Sequence, residues 1–209
     1  MHARQLANQL GLQETSSSKK MIDGWAYNIV AHGWTDEQLR YDMGKHITFG
    51  GDVHQGEGGD DIDKLQAFSY SMGVKMSGKW YADAGRAMVR GVAAQQDYED
   101  VIRRQAKALF PTWSKQLDAG QTVADIASPY MQSMSQILEL PAGSINLYDS
   151  TIKKALQSKD PQTGANSVMP IWQFENNLRS DDRWKSTKNA QDSMMQTAHQ
   201  VLADFGVKY

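Results

Sequence analysis

The sequence predicts an all-α protein, an irregular array of several helices, and three observations support this prediction. Apolar residues recur at helical spacing wherever a period is visible, as in Ile22, Trp25 and Ile29. No segment shows the strict apolar–polar alternation and β-branched enrichment that are typical of a strand. Glycine and proline fall between the periodic segments, where helices usually end.

Length and composition exclude several classes of protein. The 209 residues suit one medium-sized domain or two small helical ones. The chain has no cysteine, which excludes a disulfide scaffold, a thiolate metal site and a cysteine nucleophile. Its 22 Lys and Arg residues against 24 Asp and Glu residues give no bulk attraction to nucleic acid. We expect neither a membrane-spanning segment nor a signal peptide, because no sufficiently long apolar stretch occurs.

In the N-terminal part of the chain, residues typical of helix ends indicate where the predicted helices stop and start. A helix predicted over roughly 20–32 stops at Gly33, a residue typical of a helix C-terminus. Thr35 then has the position of an N-cap, and Gln38 follows three residues later as in a capping box. The next stretch, 50–61, contains five glycines and several acids, which predicts a loop.

The middle of the chain returns to helical spacing. Small residues such as Ala82 and Gly85 line one side of a helix after Gly78, and they would permit another helix to approach closely. A later helix stops at Phe110-Pro111, because the residue before proline disfavours helical backbone. Thr122 has the position of an N-cap for the helix that follows.

The last predicted helix spans roughly 187–205, and Met194, Ala198, Val201, Leu202 and Phe205 align on it. The polar stretch 158–167 precedes the C-terminal helices as a linker. The predicted organisation is an N-terminal helical segment 1–49, a Gly-rich acidic loop 50–61, a central helical domain 62–157, the linker 158–167 and a C-terminal helical segment 168–209.

The segment 52–63 contains the densest set of candidate metal ligands. Carboxylates suit calcium or magnesium, and a histidine suits zinc. The spacing matches neither an EF-hand nor an HExxH motif, so an exposed loop is the simpler interpretation and we predict no metal, no cofactor and no catalytic residue. The candidate ligands are Asp52, His54, Glu57, Asp60, Asp61 and Asp63.

Basic and aromatic residues suggest two kinds of contact surface. Basic side chains beside an aromatic ring can bind DNA, although solvated helix faces are the simpler interpretation. Large aromatic and methionine side chains in a chain of low hydropathy favour protein–protein interfaces. The nucleic-acid candidates are Arg103, Arg104, Arg179, Arg183 and Lys185. The interface candidates are Trp34, Tyr130, Met134, Trp172, Trp184 and Phe205.

Two segments carry a family resemblance: FPTWSKQLDAGQTVADIASPYMQSMSQILEL (110–140) and MPIWQFENNLRSDDRWKSTKNAQDSMMQTAHQVLADFGV (169–207). They resemble the C-terminal part of large virion structural proteins of tailed bacteriophages, especially phages of actinobacteria. The resemblance covers roughly 95–209. The residues that carry it are Phe110-Pro111, Gly120-x-Thr122, Ser128-Pro129-Tyr130, and Trp184 with Leu202-x-x-Phe205-Gly206.

The resemblance implies a non-enzymatic structural protein of the virion, assembled in the host cytoplasm. It would contact portal, tail or internal proteins, associate with itself and take part in genome ejection. A chain of this length is short for a tape measure, which favours a smaller portal-proximal, tail or ejected component. The alternatives are a cell-wall-degrading or metal-dependent hydrolase that uses the 52–63 segment, and an ejected protein that contacts DNA.

Overall fold

The computed structural model describes residues 1–12, 16–49 and 55–205, and this part of the chain is predominantly helical. The all-α prediction is confirmed, since this part of the chain forms eleven α-helices, three short 3-10 helices and one hairpin of two-residue strands. The helices are α1 (His2–Leu10), α2 (Ser16–His32), α3 (Asp36–Met43), α4 (Gly56–Ser71), α5 (Gly78–Val89), α6 (Gln95–Leu109), α7 (Ser114–Asp118), α8 (Val123–Ile137), α9 (Ser150–Leu156), α10 (Ile171–Arg179) and α11 (Lys188–Asp204).

The chain divides into two compact units. Unit 1 comprises Met1–Ala106, and unit 2 begins at Lys107. The boundary lies inside α6, so the predicted central domain 62–157 contributes to both units. In the described residues no helix combines the length and apolar character needed to cross a bilayer.

Unit 1 is built around α1, which the periodicity did not predict. Leu10 of α1 and Leu39 and Met43 of α3 are completely buried in one cluster. Gly11 ends α1 with φ 90°, and a Cβ there would collide with the carbonyl oxygen of Gln55. Glycine is therefore required where α1 meets the start of α4.

The predicted loop 50–61 is corrected by the structure. Residues 50–54 lie outside the described part, but α4 begins at Gly56, so residues 56–61 are helical. A Cβ on Gly58 would lie 2.6 Å from Cζ of Phe49, and one on Gly85 would lie 2.8 Å from Cδ1 of Ile62. These glycines therefore permit close helix packing, and the close approach predicted for the small-residue side of α5 is confirmed at Gly85.

Both predicted capping threonines are confirmed. Thr35 Oγ1 accepts a hydrogen bond from the backbone N–H of Gln38 at 3.4 Å, and the Gln38 side chain accepts from Thr35 N–H at 2.9 Å. Thr122 forms the same reciprocal pair with Asp125, at 3.1 and 2.9 Å. Each pair satisfies two backbone donors at a helix start.

Unit 2 packs α8 against α10 and α9, and its predicted linker is a closed hairpin. Strands β1 (Ser158–Lys159) and β2 (Asn166–Ser167) are antiparallel, with Ser158 opposite Ser167. The turn between them is stabilised by Asp160, whose Oδ1 accepts hydrogen bonds from the backbone N–H groups of Gln162 and Thr163. The short polar segment therefore pairs with itself.

Candidate interaction surface and binding pocket

Helix α11 is held firmly at its first turn. Thr187 is 4% exposed, and its hydroxyl oxygen accepts a hydrogen bond from the backbone N–H of Ala190 at 3.1 Å. The Glu139 carboxylate accepts from the N–H groups of Lys188 at 2.8 Å and Asn189 at 2.9 Å. Negative charge at a helix N-terminus is favourable, so both contacts stabilise the start of α11.

Beyond this turn α11 is uncovered, since every residue from Gln191 to Phe205 is exposed. The exposed residues include a continuous line of apolar side chains, which we call the α11 stripe. Phe205 is 81% exposed, a value far above that of a core phenylalanine. Contiguous exposed apolar residues are typical of protein interaction sites. The α11 stripe consists of Met194, Met195, Ala198, Val201, Leu202 and Phe205.

The predicted interface residues differ in exposure: two are exposed, three are partly buried and one is buried. Trp172, at 63% exposure, and Phe205 present free aromatic surface. Trp34 and Trp184 are partly buried. Tyr130 is also partly buried, and its hydroxyl donates to the backbone oxygen of Met169 at 2.5 Å while its ring meets Phe174 edge-on at 5.2 Å.

The prediction that Met134 is an interface residue is wrong. Its side chain is 1% exposed inside unit 2. Ala127 and Met134 lie two helical turns apart on α8, so they share one face, and both are buried there. Methionine at this spacing belongs to the core of unit 2, and Met134 offers no surface to another protein.

The basic candidates of unit 2 are largely neutralised by nearby acids. Arg183 pairs with Asp181 at 2.8 Å and approaches Asp149 at 3.7 Å. The Arg183 guanidinium holds the pKa of Asp181 below its usual value, mainly through their hydrogen bond. Lys185 pairs with Asp182 at 2.7 Å. These contacts reduce the positive charge that the sequence pattern suggested for DNA binding.

The remaining basic candidates do not add a clear binding face. The Arg103 guanidinium lies 5.5 Å from the centre of the Phe68 ring, a cation–π contact in unit 1. Arg104 in unit 1 and Arg179 in unit 2 are exposed. DNA contact by these residues stays a prediction.

The acidic segment is only partly within the described residues, because Asp52 and His54 lie outside them. Glu57, in the first turn of α4, pairs with Arg40 through contacts of 2.6 and 3.4 Å and also accepts a hydrogen bond from Gln9. The Arg40 hydrogen bond lowers the pKa of Glu57, which opposes a role as a proton donor. Among residues 1–12, 16–49 and 55–205, no three His, Asp or Glu side chains converge as a metal site would require.

Unit 1 contains a pocket that no sequence motif indicated, and we call it the Arg90 pocket. Its volume is about 470 Å³, within the range of small-molecule sites. Two cations lie over the ring of Tyr41: Arg90 Cζ is 4.5 Å and Lys45 Nζ is 4.7 Å from its centre. The lining residues are Trp34, Glu37, Gln38, Tyr41, Asp42, Lys45, Arg90, Gly91 and Val92. These residues come from two stretches of chain, 34–45 and 90–92, so helical periodicity within either stretch could not predict that they line one pocket.

Comparison with known proteins gives no family assignment. No family model matches the chain, and neither a curated protein nor a solved structure is significantly similar to it. The α11 stripe and the Arg90 pocket are the features of the described residues that bear on function.

Proposed function

We propose that this chain is a structural protein that assembles through protein–protein contacts, and that the α11 stripe pairs with the same stripe of a second copy. The observation that carries the proposal is a helix anchored at its first turn whose apolar side is otherwise exposed. A single helix of this length is marginal in water without a packed face. A partner that covers the stripe would supply that packing.

The spacing of the stripe is self-complementary. Met194, Ala198, Val201 and Phe205 are separated by four, three and four residues, which is the spacing of a two-helix seam. In an antiparallel pair centred between positions 199 and 200, Met194 lies opposite Phe205 and Ala198 lies opposite Val201. Small residues then meet at the centre and large residues at both ends, which would let the two helices approach closely.

The charge pattern supports a second copy as the partner. No Asp, Glu, Lys or Arg occurs from Ser193 to Ala203, so two copies can pair there without repulsion between like charges. The nearest ion pair, Lys188 with Asp192 at 2.7 Å, lies before the stripe. A membrane surface is a poorer partner, because interfacial helices use Lys and Arg on the polar face.

The virion is the setting that we propose for this assembly, and the sequence resemblance supports it. In that setting the chain would join portal, tail or internal proteins as a non-enzymatic component. Mass spectrometry of purified particles tests this role: we expect peptides of this chain at a fixed ratio to the major capsid protein. Absence from the particles would contradict the virion setting and leave the self-association to be judged separately.

A matched pair of substitutions tests the contact itself. Val201→Asp places a charge in the seam, whereas Gln200→Asp places the same charge on the neighbouring exposed position. We expect sedimentation velocity to show dimers for the wild type and for Gln200→Asp, and at least a tenfold weaker association for Val201→Asp. A wild-type chain that remains monomeric at all accessible concentrations would contradict the proposal.

A further inference from the structure

We infer that the Arg90 pocket of unit 1 binds a single carboxylate carried on an apolar or aromatic body. This inference is independent of the α11 stripe and of any assembly. It rests on how Arg90 is held, on the charges around it and on the walls of the pocket.

The Arg90 side chain is fixed in place by two neighbours. Its stem crosses Gly44, the C-cap of α3, where a Cβ would collide with Cγ of Arg90. Its guanidinium lies against the Tyr41 ring, with Cζ 4.5 Å from the ring centre. A guanidinium held in this way is preorganised, so that a ligand does not have to order the side chain on binding.

Arg90 is the cation of the pocket that has no ion-pair partner in the described part of the chain. Lys45 is already paired with Asp42 at 2.8 Å, and Asp42 also accepts a hydrogen bond from Trp25 Nε1 at 2.9 Å. Across the described residues, no carboxylate forms an ion pair with Arg90, and its buried Nε has no hydrogen-bond acceptor. Arg90 lines the pocket, and a guanidinium without an ion-pair partner matches a carboxylate in a bidentate geometry.

The other lining residues select the kind of anion. The lining contains two acids, Glu37 and Asp42, as well as two cations, so its formal charge sums to zero before a ligand binds. Such a lining accepts one negative charge far better than the two of a phosphate. Trp34 and Val92, which is 55% exposed, provide apolar surface for the body of the ligand.

Isothermal titration of the full chain with 3-phenylpropionate tests the inference. Its neutral amide and inorganic phosphate serve as comparison ligands. We expect saturable binding of the acid, at least tenfold weaker binding of the amide and no saturation with phosphate. No saturation by the acid up to about 10 mM, or equal binding of the amide, would overturn the inference.

Three variants separate the role of Arg90 from general effects. Arg90→Gln should weaken binding of 3-phenylpropionate at least tenfold. Gly44→Ala should also weaken it, because the new methyl group displaces the Arg90 stem while the helical φ of −60° at this position suits alanine. Arg86→Gln is the control, since Arg86 lies in the last turn of α5, the helix that Arg90 caps, pairs with Asp83 and does not line the pocket. Unchanged binding in both folded pocket variants would overturn the inference.

A last comparison identifies the source of the carboxylate. A hexapeptide that ends in phenylalanine is titrated with a free C-terminus and with an amidated one. Tighter binding of the free peptide than of 3-phenylpropionate supports a chain terminus of a partner protein. Tighter binding of the small acid supports a free carboxylic acid as the ligand. Equal binding of the free and amidated peptides, together with equal binding of the acid and its amide, overturns carboxylate recognition.

Discussion

At the scale of single residues, Glu57 connects three helices of unit 1. It lies at the start of α4, pairs with Arg40 of α3 and accepts a hydrogen bond from Gln9 of α1. The pKa of Glu57 is lowered mainly by the Arg40 hydrogen bond, so the ionised form is favoured in the folded chain. The contact therefore stabilises unit 1 at neutral pH.

We expect Glu57→Gln to lower the free energy of unfolding at pH 7 by about 0.2–1 kcal/mol, the range of partly exposed ion pairs. A carboxyl with a lowered folded pKa stabilises above its unfolded value of about 4.3, and this stabilisation disappears as the pH falls through the folded pKa. Urea unfolding at pH 7 and pH 3 measures the difference, which should shrink in acid.

Asp60→Asn is the control for this experiment, because Asp60 is exposed on the same helix. It should change the unfolding free energy less than Glu57→Gln at pH 7. A Glu57→Gln deficit that grows toward low pH would contradict the assignment.

Sequence reasoning identified Glu57 as a candidate ligand but not its actual role. An acid among glycines suggests an exposed loop, whereas its partner Arg40 lies 17 positions earlier. The same limit applies to Arg90, since nothing in the local pattern shows that Tyr41 and Gly44 lie against it. Pairings across helices depend on tertiary packing, which residue spacing does not encode.

At the scale of elements, signals confined to one helix are sufficient to predict local structure. The capping threonines Thr35 and Thr122 act over three residues, so their local spacing is sufficient to predict them. The loop predicted for 56–61 is wrong, because glycine is compatible either with a flexible loop or with a close packing contact between helices. Only the position of Phe49 and Val89 against Gly58 distinguishes the two.

A glycine in a close helix contact and a glycine on an open helix face should respond in opposite ways to substitution by alanine. Gly85→Ala should destabilise the chain by about 1–3 kcal/mol, the cost of overpacking, because its Cβ would lie 2.8 Å from Ile62. Gly24→Ala in α2 meets no atom within 4 Å and should stabilise by about 0.5–1 kcal/mol. Urea midpoints of both variants measure this, and stabilisation by Gly85→Ala would contradict the close α4–α5 contact.

Unit 2 offers a similar contrast between a buried and an exposed side chain. Met134→Ala should lower the unfolding free energy by about 2–5 kcal/mol, because Met134 is 1% exposed. Trp172→Ala should change it by less than about 0.5 kcal/mol, since Trp172 is 63% exposed at the start of α10. Chemical denaturation compares the two, and a larger loss for Trp172→Ala would show that its ring is covered in solution.

At the scale of the whole molecule, the all-α class and the alignment of the last helix could be predicted from periodicity. The same alignment is typical of a buried core face and of an interface, so the sequence could not show that α11 is uncovered. The boundary between the two units, after Ala106, could not be predicted from the sequence either. It lies within the continuous helix α6 and is not marked by a glycine or proline.

The antiparallel pairing of α11 is tested most directly by cross-linking single-cysteine variants, since the chain has no cysteine of its own. Met194→Cys and Phe205→Cys are oxidised separately and as a mixture. Antiparallel pairing places position 194 opposite position 205, whereas two copies of position 194 are about 16 Å apart along the helix. A disulfide requires Cα atoms within about 7 Å. We therefore expect a disulfide-linked dimer in the mixture alone, and the absence of any cross-linked dimer from all three samples would contradict assembly through α11.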